Sequence, residues 1–394
     1  MKYVILFLSV INFCYASASQ PNIHLQITVP KGTPDNAQLS LGGAFNGWDP
    51  SQGNYQFTRE DDGTWHGVLP EFDTGKVLIF KVTRGNWETV EVNADGSDIG
   101  DRRYKVKPGL QQIKINVAAW SDQVEKKVIK SSAIKDIIVE QFELPTFDGK
   151  RNVYIFLPDD YFEANKRYPV IYMMDGRNLF DVSVGAANEW GMDELMMKFA
   201  KQGSPLSSIV VGIDHASENR KAEYSPWNYR ANTHEEVQGK GAEFSDWLVN
   251  TLKPAMDKKY RTKPERDFTT LLGSSMGGLI SCYTALKYQD IFSKVGCYSP
   301  AFLKSLVQNN LLNFIKSTGR KQPMKIHMDM GDAELDLFGK QIMAEMREVS
   351  NALLESGFNQ QEVRFQIIKD GIHAEQDWRL RTENILTWLN ANHR

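Results

Sequence analysis

Residues 269–281 have the sequence T-T-L-L-G-S-S-M-G-G-L-I-S, which contains the pattern G-x-S-x-G with Ser275 at its centre. The β-branched and apolar residues from Phe268 to Leu272 predict a buried strand, and those from Leu279 onward predict a helix. A strand, a sharp turn and a helix are the context in which this pattern presents a nucleophilic serine. The alternative is an ordinary glycine-rich turn between a strand and a helix.

Two glycines flank the serine, Gly273 two residues before it and Gly277 two residues after it. A Cβ atom at either position would clash with the neighbouring strand or helix, so the tight turn requires glycine there. The helix that follows directs its unpaired N–H groups and the positive end of its dipole at the same place. We therefore predict that Ser275 is a nucleophile.

Residues 136–394, which surround this turn, alternate between strand-like and helix-like segments. This alternation is typical of an α/β fold with a largely parallel sheet. We expect the first two strands to pair antiparallel, and the others to complete a doubly wound sheet of about eight strands with the serine turn after the fifth. Helices are expected at 241–259 and 338–356, among others. The prediction for this part of the chain is the α/β-hydrolase arrangement.

A serine nucleophile needs a histidine base, which in α/β-hydrolases lies C-terminal to the serine. Three histidines follow Ser275. His327 lies inside a predicted strand, K-I-H-M-D-M, and His393 is next to the last residue. His373 follows the last predicted strand in the loop K-D-G-I-H, from which it can reach the serine. We predict that His373 is the base.

The base is usually oriented by a carboxylate, which is expected after the preceding strand in M-D-M-G-D-A-E-L-D. Asp329 falls within that strand, whereas Asp332, Glu334 and Asp336 fall in the loop that follows. We predict Glu334 as the orienting acid, with Asp332 as the second candidate. Two alternatives are a solvated acidic loop without a catalytic role and a serine–histidine pair that works without a strong acid.

The oxyanion of a tetrahedral intermediate needs two N–H donors. One is expected from the backbone of Met276, the residue after the nucleophile. The other is expected from the loop after the third strand, M-M-D-G-R-N-L-F-D, where Gly176 or Arg177 would supply it. Gly176 allows a close approach of the backbone. The side chain of Arg177 is a candidate substrate contact, or else part of a surface ion pair.

Residues 20–120 have a different pattern of short alternating strands separated by turn signals such as Asn46-Gly47 and Pro108-Gly109. Short strands at this spacing are typical of an all-β sandwich. Residues 121–135 are charged and lack strand alternation, which predicts a linker. The expected organisation is therefore a β-sandwich at 20–120, a linker at 121–135 and the α/β-hydrolase domain at 136–394.

Three segments resemble starch-binding and glycogen-binding modules of the immunoglobulin-like type: G-A-F-N-G-W-D-P (43–50), D-G-T-W-H-G-V-L (62–69) and I-F-K-V-T-R-G-N-W-E-T-V-E (79–91). The resemblance implies that exposed tryptophans stack on sugar rings. Trp48 and Trp87 lie in polar, glycine-flanked surroundings that suit this role, whereas Trp65 alternates with polar residues on a strand and is expected in the core. The alternative is that these tryptophans pack the sandwich or the interface between the domains.

Residues 1–18 have the features of a secretory signal: Lys2, an apolar run from 4 to 13 and the cleavage site Ala16-Ser17-Ala18. The run is too short to span a membrane. We expect a secreted or periplasmic protein that begins near Ser19, without membrane association after cleavage. Cys282 and Cys297 then remain, and each is expected to be a small buried hydrophobic residue rather than half of a disulfide.

The net charge of the chain is −3, and no basic stripe indicates a nucleic-acid partner. The metal-binding patterns H-E-x-x-H and C-x-x-C do not occur, nor does the dinucleotide-binding pattern G-x-G-x-x-G with its distal acid. We therefore expect neither a metal ion nor a cofactor.

Six segments of the second domain form a specific series: V-I-Y-M-M-D-G-R-N-L-F (170–180), V-V-G-I-D (210–214), R-K-A-E-Y-S-P-W (220–227), F-S-D-W-L-V-N-T-L-K-P-A-M-D-K-K-Y-R-T (244–262), L-L-G-S-S-M-G-G-L (271–279) and G-I-H-A-E-Q-D-W-R-L-R (371–381). The series is similar to an esterase family of the α/β-hydrolase fold that includes enterochelin, feruloyl and acetylxylan esterases, S-formylglutathione hydrolase and mycolyltransferases. The resemblance implies a triad of Ser275, His373 and an acid near Glu334.

The sequence differs from the family pattern in the acid loop. The family has G-T-x-E/D, whereas this chain has Gly331-Asp332-Ala333-Glu334, so two carboxylates compete for the role of the acid. The tract R-x-x-E-Y-x-P is shared with the family, and whether Arg220 and Glu223 form a wall of the site or brace a loop stays open.

The expected function is that of a secreted serine carboxylic-ester hydrolase that works through an acyl-enzyme. Its expected substrate is a small-molecule, siderophore-type or carbohydrate-linked ester, and a polysaccharide is a candidate ligand of the N-terminal domain. One alternative is an acyltransferase of the same fold, in which a sugar hydroxyl replaces water. Another is a carbohydrate-binding protein with a degenerate hydrolase domain, against which the intact Ser275 and His373 argue.

Overall fold

The computed structural model describes residues 23–46, 48–51, 55, 57–124, 131–146, 149–163, 165–184, 188–230, 236–334 and 341–391. The chain divides into two compact units, residues 1–126 and 127–394, and the division falls inside the stretch 121–135. The secretory signal, Asp336 and His393 lie outside the described residues.

The N-terminal unit is built from short strands. They are β1 (Ile23–Thr28), β2 (Ser40–Gly43), β3 (Thr58–Arg59), β4 (Trp65–Leu69), β5 (Val77–Thr83), β6 (Glu91–Val92), β7 (Arg102–Lys105), β8 (Gln111–Asn116) and β9 (Ala119–Trp120). They form one sheet in the order β3-β4-β1-β8, a second in the order β2-β5-β7, and the pair β6-β9. The all-β prediction for this unit is confirmed.

Alternation along β1 explains how this unit forms a core. Ile23, Leu25 and Ile27 are fully buried, and the polar residues between them are only partly covered. A strand with this period presents one apolar face to a facing layer. Trp65 is 4% exposed and lies in the same cluster, as predicted.

The C-terminal unit is organised around an eight-stranded sheet with the order β10-β11-β13-β12-β16-β17-β18-β19. Its strands are β10 (Ile138–Leu144), β11 (Gly149–Phe156), β12 (Val170–Met174), β13 (Ile209–Ile213), β16 (Thr269–Ser274), β17 (Lys294–Tyr298), β18 (Lys325–Gly331) and β19 (Val363–Ile368). β11 pairs antiparallel with both β10 and β13, and the remaining neighbours in this sheet pair parallel. The predicted sheet and the place of the serine after its fifth strand are confirmed. A separate hairpin of β14 (Tyr229–Arg230) and β15 (Glu236–Val237) was not predicted.

Helices cover both faces of this sheet. They are α1 (Met192–Lys201), α2 (Arg220–Glu223), α3 (Gly241–Trp247), α4 (Lys253–Lys259), α5 (Met276–Lys287), α6 (Gln308–Thr318), α7 (Ile342–Glu355) and α8 (Glu375–Leu389). The helix predicted at 241–259 is present as α3 and α4, joined by a π-helical turn at Leu248–Leu252. No helix in the described ranges is both long and apolar enough to cross a membrane.

The central strands are apolar on both faces because both faces are covered. Tyr172 and Met174 of β12 lie in one buried cluster, and Ile171 and Met173 of the same strand lie in another. Continuous apolar runs are characteristic of such strands. Cys282 and Cys297 are buried and free, as expected.

One detail of the predicted nucleophile strand is wrong. Phe268 is 37% exposed, because the strand begins at Thr269 and Phe268 ends a short 3₁₀ turn before it. The ammonium group of Lys263 lies 4.5 Å from the centre of its ring, so the phenylalanine face is covered by a lysine rather than by the core.

Candidate active site

Ser275 lies between β16 and α5 with a backbone conformation that is rare for serine, φ 54° and ψ −125°. Backbone hydrogen bonds on both sides hold it there: its N–H donates to the carbonyl of Tyr298, and its carbonyl accepts from Ala301 and Leu279. A non-glycine residue in this region costs about 1–3 kcal/mol and persists only where surrounding contacts enforce it. The end of β17 and the loop after it therefore hold the turn that carries the serine.

The two glycines of the motif are sterically required. A Cβ atom on Gly273 would lie 2.4 Å from the carbonyl oxygen of Gly277. A Cβ atom on Gly277 would lie 2.9 Å from the Cβ of Met174 and 3.0 Å from a carboxylate oxygen of Asp175. At each glycine the shortest of these distances is below any that real Cβ atoms show, so α5 can approach β12 and β16 only without these side chains.

His373 and Glu334 form a hydrogen-bonded pair at the carboxyl edge of the sheet. His373 Nδ1 lies 2.7 Å from Glu334 Oε2, and the glutamate is only 2% exposed. An ionised carboxylate can only accept a hydrogen bond, so Nδ1 carries the proton. This tautomer leaves Nε2 with the lone pair that a general base needs.

The other oxygen of Glu334 is held by two donors. Glu334 Oε1 accepts from Ser299 Oγ at 2.6 Å and from the N–H of Gly331 at 2.9 Å. Ser299 Oγ in turn accepts from Trp378 Nε1 at 3.0 Å, and the Trp378 ring packs edge-on against His373 with centroids 4.9 Å apart. The carboxylate and the imidazole are therefore fixed in orientation by residues outside the predicted triad.

The other acidic and histidine candidates lie elsewhere. Asp332 Oδ1 accepts from the N–H of Asp370 at 2.6 Å, so it braces the loop before His373 instead of contacting the imidazole. His327 is fully buried, as expected for a packed strand residue, between Asp329 Oδ2 and Arg364 Nε, each at 3.0 Å. Burial lowers the pKa of His327, partly offset by Asp329.

Three backbone N–H groups were predicted as candidates for an oxyanion hole. Those of Met276, Gly176 and Arg177 have no acceptor among the described residues. Gly176 lies so close to β13 that a Cβ atom would be 2.5 Å from the carbonyl of Gly212, which explains glycine at this position. Unpaired N–H groups at the same edge as the serine can stabilise a developing negative charge.

The Arg177 side chain is tied down in an ion pair. Its Nε and Nη2 atoms each donate to Asp214 at 2.8 Å. In the structure the Arg177 side chain therefore forms an ion pair, which is the second of the two alternatives that the sequence offered. Asp214 follows β13, so the pair links the loops after two neighbouring strands.

Arg220 and Glu223 both brace loops. Arg220 donates to Asp175 through Nε at 2.6 Å and Nη2 at 2.8 Å. Glu223 is fully buried, accepts from Arg151 Nη2 at 2.5 Å and accepts from the N–H of Ala216 at 2.8 Å. Burial raises the pKa of Glu223, and the arginine opposes this shift. Of the two roles that the sequence left open for Arg220 and Glu223, a wall of the site or a brace for a loop, these contacts are those of a brace.

A cavity of about 160 Å³ opens beside Ser275. Most of its wall is apolar and comes from Met276, Pro300, Ala301, Leu303, Leu306 and Met330. Lys221 and Tyr229 add polar groups. An apolar recess with a few polar groups is the usual form of a small-molecule site.

In the N-terminal unit, Trp48 and Trp87 form an aromatic pair. Their ring centroids are 6.1 Å apart, and Trp87 Nε1 donates to the carbonyl oxygen of Trp48 at 3.0 Å. Trp87 is 41% exposed, and one part of its ring packs on Gly42, where a Cβ atom would lie 2.6 Å away. The pair therefore combines a fixed position with an accessible aromatic surface.

Sequence reasoning missed Ser299, Trp378 and the Asp175–Arg220 pair. Ser299 could have been noticed because it directly follows β17, at the edge where the turn after β16 carries Ser275. Trp378 and Arg220 stand in the quoted motifs, but the motifs do not state what these side chains contact.

Comparisons with known proteins agree with this geometry. The model of the family described as "Putative esterase" matches residues 145–389, more than half of the chain. The protein YbbA of Bacillus subtilis (strain 168) is 24% identical over 249 residues, which cover 62% of this chain and 95% of YbbA. The alpha-amylase of Niallia circulans is 35% identical over 102 residues, 26% of this chain but only 8% of the amylase.

Among solved structures, the enterobactin esterase of Shigella flexneri, crystallised in the presence of enterobactin, superimposes with a TM-score of 0.54. The match covers 89% of this chain and 87% of that protein at 15% sequence identity. At this identity the likeness concerns the fold.

Proposed function

The chain belongs to the putative esterase family and is a carboxylic ester hydrolase, and from this premise we propose that it is a serine esterase with Ser275, His373 and Glu334 as its triad. The observation that supports this most strongly is the 2.7 Å hydrogen bond between His373 Nδ1 and the buried Glu334. It provides a base of defined tautomer at the sheet edge where the strained serine turn lies.

In the first half of the reaction, Ser275 Oγ attacks the ester carbonyl carbon while His373 Nε2 takes the hydroxyl proton. The carbonyl oxygen becomes an oxyanion, which accepts hydrogen bonds from the N–H of Met276 and from that of Gly176 or Arg177. The tetrahedral intermediate collapses, the bond to the alcohol oxygen breaks, and His373 returns the proton to that oxygen. Alcohol leaves and an acyl-serine remains.

In the second half, a water molecule attacks the acyl carbon and His373 takes its proton. The same N–H groups stabilise the second oxyanion. Collapse then breaks the bond to Ser275 Oγ, the proton returns to the serine, and the acid is released. Glu334 stabilises the imidazolium that forms in each half because its carboxylate is buried, where charges are screened less than in bulk solvent.

The cavity beside Ser275 is suited to the acyl group. The tetrahedral carbon has four substituents: the serine oxygen, the oxyanion, the leaving oxygen and the acyl carbon. The leaving oxygen faces His373, which does not line the cavity, and the oxyanion faces the N–H groups of Met276 and of Gly176 or Arg177, of which only Met276 lines it. The cavity is therefore assigned to the remaining substituent, which is the acyl carbon. We infer an acyl group that is apolar next to the carbonyl.

The volume of the cavity limits the acyl group. An engineered protein cavity of about 150 Å³ holds benzene, so the 160 Å³ recess should hold roughly six carbon atoms. We expect kcat/KM for para-nitrophenyl esters to peak at acyl chains of about four to six carbons and to fall at least about tenfold for dodecanoate. A kinetic series from acetate to dodecanoate measures this.

A substitution in the cavity wall and a control substitution outside it test whether the cavity holds the acyl group. Leu303→Ala removes three carbons from a half-buried wall residue, so the optimum should move to longer chains. Leu110→Ala, a substitution at a side chain 75% exposed in the N-terminal unit, should leave the profile unchanged. A profile that is flat in the wild-type protein, or that does not move in Leu303→Ala, would show that the acyl group lies elsewhere.

Glycan binding by the N-terminal unit is a second candidate function, favoured by the exposed surface of Trp87 beside Trp48. Aromatic faces in polar surroundings can stack on sugar rings. We hold hydrolysis to be independent of it. In the full-length protein, Trp87→Ala should abolish retention on insoluble starch and leave hydrolysis of a soluble para-nitrophenyl ester unchanged. Phe162→Ala, at a ring 80% exposed in the other unit, is the matched control.

Two outcomes would argue against glycan binding. Absence of retention in the wild-type protein is one. The other is a lower melting temperature in Trp87→Ala without any change in retention, which would indicate that the ring serves packing.

The substrate class proposed is a siderophore-type or carbohydrate-linked ester met outside the cell, where the signal at 1–18 would direct the protein. Feruloylated and acetylated xylan and a catecholate siderophore are the polymers and small molecules to assay. Adding a sugar acceptor to the assay separates hydrolysis from acyl transfer, because transfer yields an acylated sugar in place of the free acid.

A further inference from the structure

The loop 175–178, which follows β12 and carries Gly176 and Arg177, is held by side chains from three other parts of the fold. Asp175 pairs with Arg220 of α2, Arg177 pairs with Asp214, and Asn178 Nδ2 donates to Glu375 Oε1 of α8 at 3.0 Å. Each polar side chain of the loop therefore has its own anchor.

Asp175 is the position at which the loop is least stable by itself. It has a left-handed backbone, φ 58° and ψ 49°, which is unfavourable for residues other than glycine. Its side chain is 8% exposed and lies against Gly277 of the nucleophile turn, where a Cβ atom would be 3.0 Å from Oδ2. A buried carboxylate at this place needs a partner.

Arg220 is that partner, in a geometry that a lysine cannot reproduce. Its Nε and Nη2 contact the two carboxylate oxygens at 2.6 and 2.8 Å, and its guanidinium lies over the ring of Tyr224 at 5.2 Å. The hydroxyl of Tyr224 accepts the N–H of Asp175 at 3.2 Å. Arg220 therefore binds the side chain of Asp175 and Tyr224 binds its backbone N–H, immediately before Gly176.

We propose that Arg220 is a positioning residue for catalysis: through Asp175 it fixes the loop so that the N–H of Gly176 or Arg177 meets the oxyanion on Ser275. This inference rests on the proposed serine mechanism and adds a residue to it. Arg220 acts through another group and needs no contact with the ester. The role also explains why arginine and tyrosine stand four residues apart in the tract 220–224.

Arg220→Gln is expected to lower kcat about 100-fold with little change in KM, as loss or misplacement of one oxyanion donor does. The affinity for an alkyl boronic acid, which forms a tetrahedral adduct with the serine, should fall by a similar factor. The acidic limb of the pH–rate profile should stay in place, because the contact between His373 and Glu334 is untouched. Arg220→Lys should recover only part of kcat, because an ammonium cannot bind both oxygens.

Arg320→Gln is the matched control. Arg320 makes a similar bidentate pair with Glu362 at 2.9 and 3.0 Å, with exposures of 31% and 1%, near the start of β18 and away from the loop. It should lower the melting temperature without lowering kcat. Asp175→Asn and Arg220→Gln should also be non-additive in kcat, since both remove the same ion pair.

The inference is overturned if Arg220→Gln keeps wild-type kcat, if its loss appears in KM alone, or if Arg320→Gln lowers kcat equally. A failure of the serine mechanism is distinguishable from these results. In that case the wild-type protein would not bind the boronic acid, and a fluorophosphonate would not label Ser275.

Discussion

Ser275→Ala is expected to lower kcat for a para-nitrophenyl ester by about 10⁶-fold, the scale seen when a triad nucleophile is removed. The fold should survive, because alanine and serine differ only in the oxygen atom and the turn is held through backbone hydrogen bonds to Tyr298, Ala301 and Leu279. A fluorophosphonate probe should label Ser275 in the wild-type protein and leave the variant unlabelled.

The neighbouring serine offers a close control. Ser274 is the last residue of β16 and is buried at the same turn. Ser274→Ala should retain labelling and most of the activity. If Ser275→Ala instead kept its turnover, or if the probe labelled another serine in it with activity retained, the assignment of the nucleophile would be wrong.

Glu334→Gln is expected to lower kcat about 10⁴-fold, the effect of replacing the orienting acid of a triad by its amide. The amide would present an N–H group toward His373 or toward Ser299 and Gly331, all of which now donate to the carboxylate. With the N–H group toward His373, the imidazole would favour the other tautomer, in which Nε2 carries the proton and cannot act as the base.

Asp332→Asn is the matched comparison, two residues away in the same loop. Its contact is the N–H of Asp370, and an asparagine oxygen can accept that hydrogen bond equally well. We expect a small loss of kcat. The reverse ranking of the two variants would transfer the role of the acid to Asp332, and two variants close to wild type would indicate a serine–histidine pair without an acid.

The fold was predictable because its strands and helices follow from the spacing of apolar residues along short stretches of the sequence. The apolar runs at 170–174 and 209–213 predict strands covered on both faces, and the alternation at 23–28 predicts a strand with one apolar face. The serine turn was predictable for the same reason, since glycines at fixed spacing around Ser275 are required by contacts within the motif. The hairpin at 229–237 was missed because two-residue strands carry too short a pattern.

The partners of individual side chains were not predictable. Arg220 and Asp175 are 45 residues apart, and Ser299 is 35 residues from Glu334. Such pairs depend on which loops meet at the carboxyl edge of the sheet, and the order of the strands in space differs from their order in the chain.

The sequence by itself thus determined two units of different class, the α/β-hydrolase sheet with its serine turn, and the candidates Ser275 and His373. These features follow from local patterns and from the order of motifs along the chain. Only the tertiary structure showed that Glu334, and not Asp332, contacts His373, brought Arg220 to the loop before Gly176 and shaped the apolar recess beside the serine. The physical reason is that hydrogen bonds act only at short range and in particular directions. Glu334 and Asp332 lie in the same short turn, but their side chains point to different partners, and neither composition nor spacing specifies that direction.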